Sequence, residues 1–225
     1  VILNGYRRPK NLSLQLDAIR KQTVTPEQIW LWVNYHEDFN EESIDFKSLG
    51  IDRVCNNDHN WKYFGRFALA MLADTDFVAL FDDDTVPGER WLENCLQTYD
   101  ETPGILGGVG IHLKSKEHYM EQERFGWPSR NEETIEVDLV GHAWFINKDD
   151  LKYIWMEKPF TWDTGEDIHL SAVAQKYGGV KTYVPPHPPL ERDKSSSLFG
   201  YELGVDDKTP SVIDQQQFFS LRDRC

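Results

Sequence analysis

Short apolar runs alternate with amphipathic stretches through the first hundred residues of the chain. The apolar runs predict β-strands at residues 1–3, 29–33, 53–56 and 77–81. Apolar residues also recur at the spacing of a helix face, which predicts helices near residues 12–19, 64–72 and 91–99. Strands that alternate with helices in this way predict a mostly parallel sheet covered by helices on both faces.

The pattern of the second half is looser. It predicts strands at residues 105–113, 135–146 and 180–184, a helix at 166–177 and an irregular polar connection at 114–134. We therefore expect one α/β domain over residues 1–225. Its parts would be a ligand-binding half (1–104), an irregular half against the carboxyl edge of the sheet (105–190), and a mobile loop with a C-terminal segment (191–225). A chain that begins inside a predicted strand is also consistent with a larger parent protein.

Composition and charge narrow the class of protein. The 24 Lys and Arg residues against 38 Asp and Glu give a net charge of −14, which argues against a nucleic-acid partner because phosphate backbones are bound mainly by basic side chains. We expect no membrane span, because no apolar run approaches the roughly 18 residues that one requires. The three cysteines lack a C-x-x-C spacing, which predicts free thiols and a reducing, cytoplasmic compartment. A secretory lumen stays open if the chain is part of a larger protein.

Three consecutive acids follow the predicted strand at 77–81, namely Asp82, Asp83 and Asp84. The strand delivers them to the carboxyl edge of the sheet, where open α/β sheets bind ligands. Adjacent carboxylates repel one another unless a cation neutralises them, and oxygen ligands suit a hard ion such as Mg²⁺ or Mn²⁺. The alternative is a solvated turn that caps the next helix.

Four stretches, taken in order, resemble the GT-A glycosyltransferases of family 2. They are NGYRRP at 4–9 with QT at 22–23, FGRFA at 64–68, FDDDTVPG at 81–88, and GEDI at 165–168. Each stretch alone is weak, but the ordered set is specific and spans most of the chain. The resemblance implies a GT-A, Rossmann-like fold in which the loop after the first strand holds a nucleotide and the D-x-D motif carries a metal ion.

The same resemblance assigns site residues. It implies Mn²⁺ or Mg²⁺ bound by Asp84, Asp82 and His187, since many such enzymes take a third ligand from a C-terminal histidine. His187 also lies among four prolines that restrict its backbone. Contacts to the nucleotide are assigned to Gly5, Tyr6, Arg8, Asn34, Asn56, Arg66, Asp82 and Asp83. The two arginines could instead be ordinary surface residues.

The acid pair at the start of the predicted helix 166–177 matches the motif that supplies the catalytic base in this family. The resemblance assigns Asp167 as the base and Glu166 as an acceptor-binding or supporting group, while simple helix capping is the alternative. It further implies transfer of a sugar from a nucleoside diphosphate donor, with UDP favoured, to a hydroxyl of a glycan or glycoprotein. Inversion at the anomeric carbon would follow from single displacement.

Other residues have weaker assignments. His142 follows an apolar strand and is expected to line the acceptor pocket or to be a core histidine. Trp127, Trp144 and Trp162 are candidates for stacking on sugars, with the core as the alternative. The polar segment 194–207 is a candidate lid.

Two other classes of function remain open. The strand followed by D-x-D-x-[T/V] at residues 82–86 also fits a phosphatase of the haloacid dehalogenase type, with Asp82 as nucleophile and Asp84 as acid/base. A sugar-binding module without catalysis is the third possibility.

Overall fold

The computed structural model describes residues 1–40, 44–204 and 214–225. In this part of the chain, nine strands form one sheet in the order β3-β2-β1-β4-β8-β5-β9-β7, with β6 paired to β5. The strands are β1 (Ile2–Gly5), β2 (Trp30–Val33), β3 (Arg53–Asn56), β4 (Phe77–Phe81), β5 (Ile105–Leu113), β6 (Gln122–Gly126), β7 (Ile135–Val137), β8 (Leu139–Asn147) and β9 (Thr182–Val184).

Helices cover the sheet. They are α1 (Pro9–Arg20), α2 (Glu37–Asn40), α3 (Gly65–Ala70), α4 (Trp91–Glu101), α5 (Glu166–Gly178), α6 (Gly200–Gly204) and α7 (Gln215–Arg222), together with 3₁₀ helices at Lys148–Trp155 and Arg192–Lys194. Apolar side chains of α3 and α5 pack in one core cluster with Trp144, whereas those of α1 and α4 pack in a second cluster with Phe81. The predicted helices therefore cover both faces of the sheet.

Pairing of the strands differs between the two halves. β1 to β4 pair in parallel, as the alternating pattern predicts. β8 then enters antiparallel between β4 and β5, with Phe81 opposite Ala143. The second half is thus built into the same sheet rather than laid against its edge.

Two local predictions were wrong. The polar connection 114–134 contains β6, which the apolar pattern missed because this strand carries exposed polar residues beside β5. The single strand predicted at 135–146 is two strands that separate at Asp138, because β7 pairs with β9 whereas β8 pairs with β4 and β5.

A register shift in β8 shapes the carboxyl edge of the sheet. The pairing of β5 with β8 slips by one residue between Gly107 and Val109, which leaves an extra residue in β8. His142 lies in this bulge with φ of 66°. Its carbonyl accepts hydrogen bonds from the Asp82 amide (3.1 Å) and the Thr85 hydroxyl (3.3 Å), so the bulge is fixed to the end of β4.

Two chain-wide features bear on the predicted compartment. No helix among the described residues has the length and apolar character needed to cross a bilayer. Cys55, Cys95 and Cys225 are free thiols. The compartment itself stays a prediction.

Candidate active site

A cleft of about 610 Å³ opens at the carboxyl ends of β1, β2 and β4. Its size is in the range of small-molecule sites. The three aspartates form one side, and the start of α5 and the C-terminal helix α7 form the other. Predicted site residues that line it are Tyr6, Arg8, Asn34, Asp82, Asp83, Asp84, His142, Trp144, Glu166 and Asp167.

Residues of α1 and the preceding loop hold the acidic turn in place. Arg8 pairs with the Asp83 carboxylate at 2.8 Å. The Asn11 amide donates to the Asp83 carbonyl at 3.0 Å, and the Gln15 amide donates to the Asp82 carbonyl at 2.6 Å. Buried amides that satisfy main-chain carbonyls fix a turn that acidic repulsion would otherwise loosen.

The acidic turn carries more negative charge than its partners offset. Burial, followed by the charge of Asp84, raises the pKa of Asp83 to about 7 against the opposing Arg8. Burial and Asp82 raise the pKa of Asp84 to about 6. One carboxylate oxygen of Asp83 is buried without a hydrogen-bond partner. These features fit a site that is completed by a cation.

Among the described residues, Asp82, Asp84 and His142 form a group that could hold a metal ion, since their ligand atoms lie within 4.8 Å of one another. Burial lowers the pKa of His142, opposed by Asp82, so the imidazole is neutral and can offer a lone pair. Two carboxylates suit Mg²⁺ or Mn²⁺, and an added imidazole favours Mn²⁺ of the two.

His187 is not brought to this group. The ring is fully buried, with Nδ1 2.8 Å from the Pro185 carbonyl and Nε2 2.9 Å from the Ser196 hydroxyl, and it lies against Trp91. Because both ring nitrogens are already engaged by protein groups, His187 cannot serve as the expected ligand in this arrangement. The histidine beside Asp82 and Asp84 is instead His142, which was expected either to line the acceptor pocket or to be a core histidine.

Arg66 is buried beneath the cleft and is not among the side chains that line it. Its guanidinium is 2% exposed, pairs with Asp82, and reaches Glu166 at 3.2 Å. The group also stacks over the Trp144 ring at 4.7 Å. Arg66 thus links the acidic turn to the start of α5, and its predicted contact with the nucleotide is not supported by this placement.

The start of α5 carries the predicted acid pair. Burial and the charge of Asp167 raise the pKa of Glu166 to about 8 despite Arg66, so Glu166 suits a hydrogen-bond donor near neutral pH better than a base. Asp167 lines the cleft and pairs with Arg222 of α7 at 2.6 Å. Arg222 also donates to the Tyr119 hydroxyl at 2.9 Å.

Arg222 and Tyr119 were missed in the sequence. Neither residue belongs to a motif, and they lie more than a hundred positions apart. An arginine beside apolar residues near the end of the chain carries no local signal of function. Only the fold brings the two residues together at the acid pair.

The remaining predicted nucleotide residues divide into two groups. Tyr6, Arg8 and Asn34 line the cleft beside the aspartates. Asn34 accepts from the Trp61 amide at 3.0 Å and donates to the Lys62 carbonyl at 2.7 Å, which anchors the adjoining loop. Gly5 packs against the Phe39 ring, and exposed Asn56 ends β3, so within the described chain neither lines the cleft.

The structure also shows the surroundings of the three candidate tryptophans and of the candidate lid. Trp144 is core, Trp127 is partly buried against Tyr201, and Trp162 stays 48% exposed with its ring edge-on to Phe64. Of the segment 194–207, residues 205–207 lie outside the described residues. Its described part is packed, since Ser195, Ser196 and Ser197 are buried and the Ser195 carbonyl accepts from the Gly88 amide at 2.8 Å.

Comparisons with known proteins agree with this geometry. Residues 1–155 match the family model described as Glycosyl transferase family 2. Over 110 residues the chain is 27% identical to a glucosyl-dolichyl phosphate glucuronosyltransferase of Haloferax volcanii. This alignment covers 47% of this chain and 34% of that protein. The chain therefore spans about a third of the length of this relative.

Solved structures of TarS from S. aureus share the fold. The complex of TarS 1-349 with UDP-GlcNAc gives a TM-score of 0.57 at 16% identity, with 90% of this chain and 63% of that chain covered. A second structure of TarS 1-349 gives 0.56 at 15% identity, with 82% and 59% covered. The likeness confirms the predicted GT-A type α/β fold, in which helices flank a central sheet.

The fold is that of the GT-A glycosyltransferases. Because the family model covers more than half of the chain, the chain belongs to glycosyl transferase family 2. The predicted family and class of enzyme are confirmed, and the haloacid dehalogenase alternative is thereby set aside.

Proposed function

We propose that this protein transfers a sugar from a nucleoside diphosphate donor, with a UDP-sugar favoured, to a hydroxyl of a glycan or glycoprotein acceptor. The observation that carries this proposal is that one cleft holds the group Asp82, Asp84 and His142 together with the acid pair Glu166 and Asp167. The structurally similar TarS has been solved in complex with UDP-GlcNAc, which supports a UDP-sugar as the donor. The Haloferax volcanii relative is named for glucosyl-dolichyl phosphate, which supports an acceptor that already carries a sugar.

Each wall of the cleft has a separate task. On the acidic side, Asp82, Asp84 and His142 would hold Mn²⁺ or Mg²⁺, which when bound neutralises charge on a diphosphate and so favours its departure. Tyr6, Arg8 and Asn34 bind the nucleotide beside it. The donor is thereby oriented with its sugar toward α5.

The chemical step uses Asp167 as general base. The acceptor oxygen forms a bond to the anomeric carbon while the bond from that carbon to the diphosphate oxygen breaks. The hydroxyl proton passes to the Asp167 carboxylate, and the nucleoside diphosphate leaves with the electron pair. Attack opposite the leaving group inverts the anomeric centre. Glu166, held by Arg66, supports the acceptor from the neighbouring position.

Nucleoside diphosphate release is the first test. The protein is incubated with Mn²⁺ and UDP-, GDP- and dTDP-sugars, with and without glycan acceptors. Release that an acceptor increases supports the transferase, and NMR of the product reports its anomeric configuration. Phosphate release from monoesters would support a phosphatase instead, and sugar binding without turnover would support the non-catalytic module.

Two substitutions test the two sides of the cleft separately. Asp84→Asn is expected to abolish the Mn²⁺-dependent rise in Tm that UDP causes, because ligand bound only to the native state raises its stability. Asp167→Asn is expected to keep that rise and to lose about 10² to 10⁴ in rate. Full transfer by Asp167→Asn would refute the assignment of the base.

A further inference from the structure

The C-terminal helix α7 reaches the acid pair through one side chain. Arg222 and Asp167 are 6% and 13% exposed at their side chains and meet at 2.6 Å. The guanidinium also lies 4.2 Å from the centre of the Tyr119 ring. A buried ion pair of this kind requires the desolvation of two charges, which is unfavourable. A role in the site would explain why this pair includes one member of the acid pair.

Arg222 is held in place by a second anchor at the end of α7. The Tyr119 amide donates to the Asp223 carboxylate at 2.7 Å, and the Tyr119 ring stacks with Phe219 at 6.3 Å between centres. The loop between β5 and β6 and the end of the chain are therefore fastened to each other independently of Asp167. This arrangement presents the guanidinium to the carboxylate in a fixed direction.

The acid pair explains what the guanidinium does. Glu166 and Asp167 are adjacent and line the same cleft. Glu166 has a guanidinium of its own, Arg66, at 3.2 Å. Among the described residues, the guanidinium that pairs with Asp167 comes from α7. Each acid of the pair is therefore held by a separate guanidinium, and Arg222 fixes where the Asp167 carboxylate lies.

The contacts of Asp167 leave room for an acceptor. One carboxylate oxygen accepts from the Ile168 amide at 2.9 Å, and the other accepts from Arg222. A carboxylate has about four acceptor positions, so lone pairs remain for an incoming hydroxyl. A Cβ on Gly141 would lie 3.5 Å from the paired oxygen, so β8 approaches this carboxylate closely, and the Asp167 side chain keeps 13% of its surface exposed.

We infer that Arg222 is the positioning residue of the general base, holding the Asp167 carboxylate in place and aimed into the cleft, a role that rests on the proposed function of Asp167. The end of the chain thereby completes an active site whose other parts come from α3, α5 and the sheet. Proton transfer itself stays with Asp167.

The test compares Arg222→Ala with Arg222→Lys and with Asp223→Ala, which loosens the anchor of α7 without removing the pair. Release of UDP from UDP-GlcNAc in Mn²⁺ is followed with water and with a methyl glycoside as acceptor. We expect kcat to fall about 10- to 100-fold in Arg222→Ala, the range typical for loss of a supporting group, with KM for the donor changed less than about twofold. Arg222→Lys should recover a large part of kcat.

Several results would overturn the inference. Equal losses in Arg222→Ala and Asp223→Ala would show that only the docking of α7 matters. A higher kcat in Arg222→Ala would mean that the arginine masks the base instead of positioning it. Full activity in both Asp167→Asn and Arg222→Ala would show that the proposed base itself is wrong. Loss of activity in Asp167→Asn with full activity in Arg222→Ala would remove only the role of Arg222.

A measurement that needs no turnover covers the case of weak activity. The fall in Tm is determined for Asp167→Asn, Arg222→Ala and the double variant. A coupled pair predicts that the double variant loses clearly less than the two single losses combined, because either single change already breaks the contact. Strict additivity would show that the two groups do not act together, and would overturn the inference.

Discussion

At the scale of single residues, the cleft is organised by pairing buried acids with arginines. Arg8 pairs with Asp83, Arg66 with Asp82 and Glu166, and Arg222 with Asp167. Buried carboxylates are costly unless a partner offsets the loss of hydration. Asp82 and Asp84, with His142, are also the residues whose ligand atoms lie within 4.8 Å of one another, which is why the cation is proposed there.

The two histidines give a residue-scale prediction. His142→Ala is expected to weaken the Mn²⁺-dependent rise in Tm that UDP causes, because it removes one proposed ligand. His187→Ala is expected to keep that rise while lowering the Tm of the free protein, because it leaves the Ser196 hydroxyl and the Pro185 carbonyl without their buried partner. Thermal unfolding with and without Mn²⁺ and UDP measures both effects. The opposite outcome would return the ligand role to His187.

Glu166 gives a prediction about pH. Its pKa is raised from 4.5 to about 8 by burial and Asp167, so between these values the folded protein keeps a proton that the unfolded chain has released. The free energy of unfolding therefore falls as pH rises through this window. Glu166→Gln removes this loss, and its Tm relative to the wild type should rise from about pH 5 to about pH 8.

The comparison is made in a chelator, so that no metal ion contributes. Asp83 and Asp84 titrate in both proteins, and the difference between the two Tm values at each pH isolates Glu166. A difference that stays constant across the window would contradict the raised pKa.

At the scale of elements, the position of α3 depends on its close approach to β2. A Cβ on Gly65 would lie 2.2 Å from the Trp32 ring, so α3 can carry Arg66 beneath the cleft only because residue 65 has no side chain. The helix also packs Phe67 edge-on against Trp144 of β8 at 5.5 Å. The close approach of Gly65 to Trp32 thus fixes both the position of α3 and the ion pairs that Arg66 makes.

Gly65→Ala tests this dependence. We expect a loss of about 1 to 3 kcal/mol in stability from overpacking, together with a fall in kcat because Arg66 moves away from Asp82 and Glu166. Gly179→Ala is the matched control, since φ of 64° strains a side chain there but nothing lies within 4 Å. It should cost about 1 kcal/mol and leave kcat unchanged. Equal effects on kcat would show that stability alone explains the loss.

At the scale of the whole molecule, one sheet joins the parts that the sequence divides at residue 104. β8 lies between β4 and β5, and β9 extends the sheet beyond β5. Both apolar clusters contain side chains from before and after residue 104, such as Phe67 with Trp144 and Phe81 with Phe145. The two predicted halves therefore share their core.

A shared core predicts one cooperative transition on heating. Far-ultraviolet circular dichroism and tryptophan fluorescence should report the same Tm, and UDP with Mn²⁺ should raise both values together. Two separate transitions, with only the first responding to nucleotide, would show that the halves unfold independently.

Much of the fold followed from local pattern. The alternation of apolar runs and helix faces predicted β1 to β4 and the main helices, since each depends on contacts close in sequence. The pattern missed β6, whose polar residues carry no apolar signal, and it fused β7 with β8, whose difference lies in their partners.

The candidate site divides in the same way. The acids after β4 and at the start of α5 were found because a strand end and a helix start place them by local geometry. His142, Arg66 and Arg222 received other roles or none, because their positions depend on a bulge, a buried guanidinium and a distant helix.

By itself, the sequence determined which chemical groups this protein has and which edge of the sheet carries its acids, because strand and helix periodicity are local properties. Tertiary structure alone decided which histidine joins Asp82 and Asp84 and which arginine faces each carboxylate. Those contacts join residues that are far apart in the chain, and they form only when β8 has paired with β4 in the folded sheet.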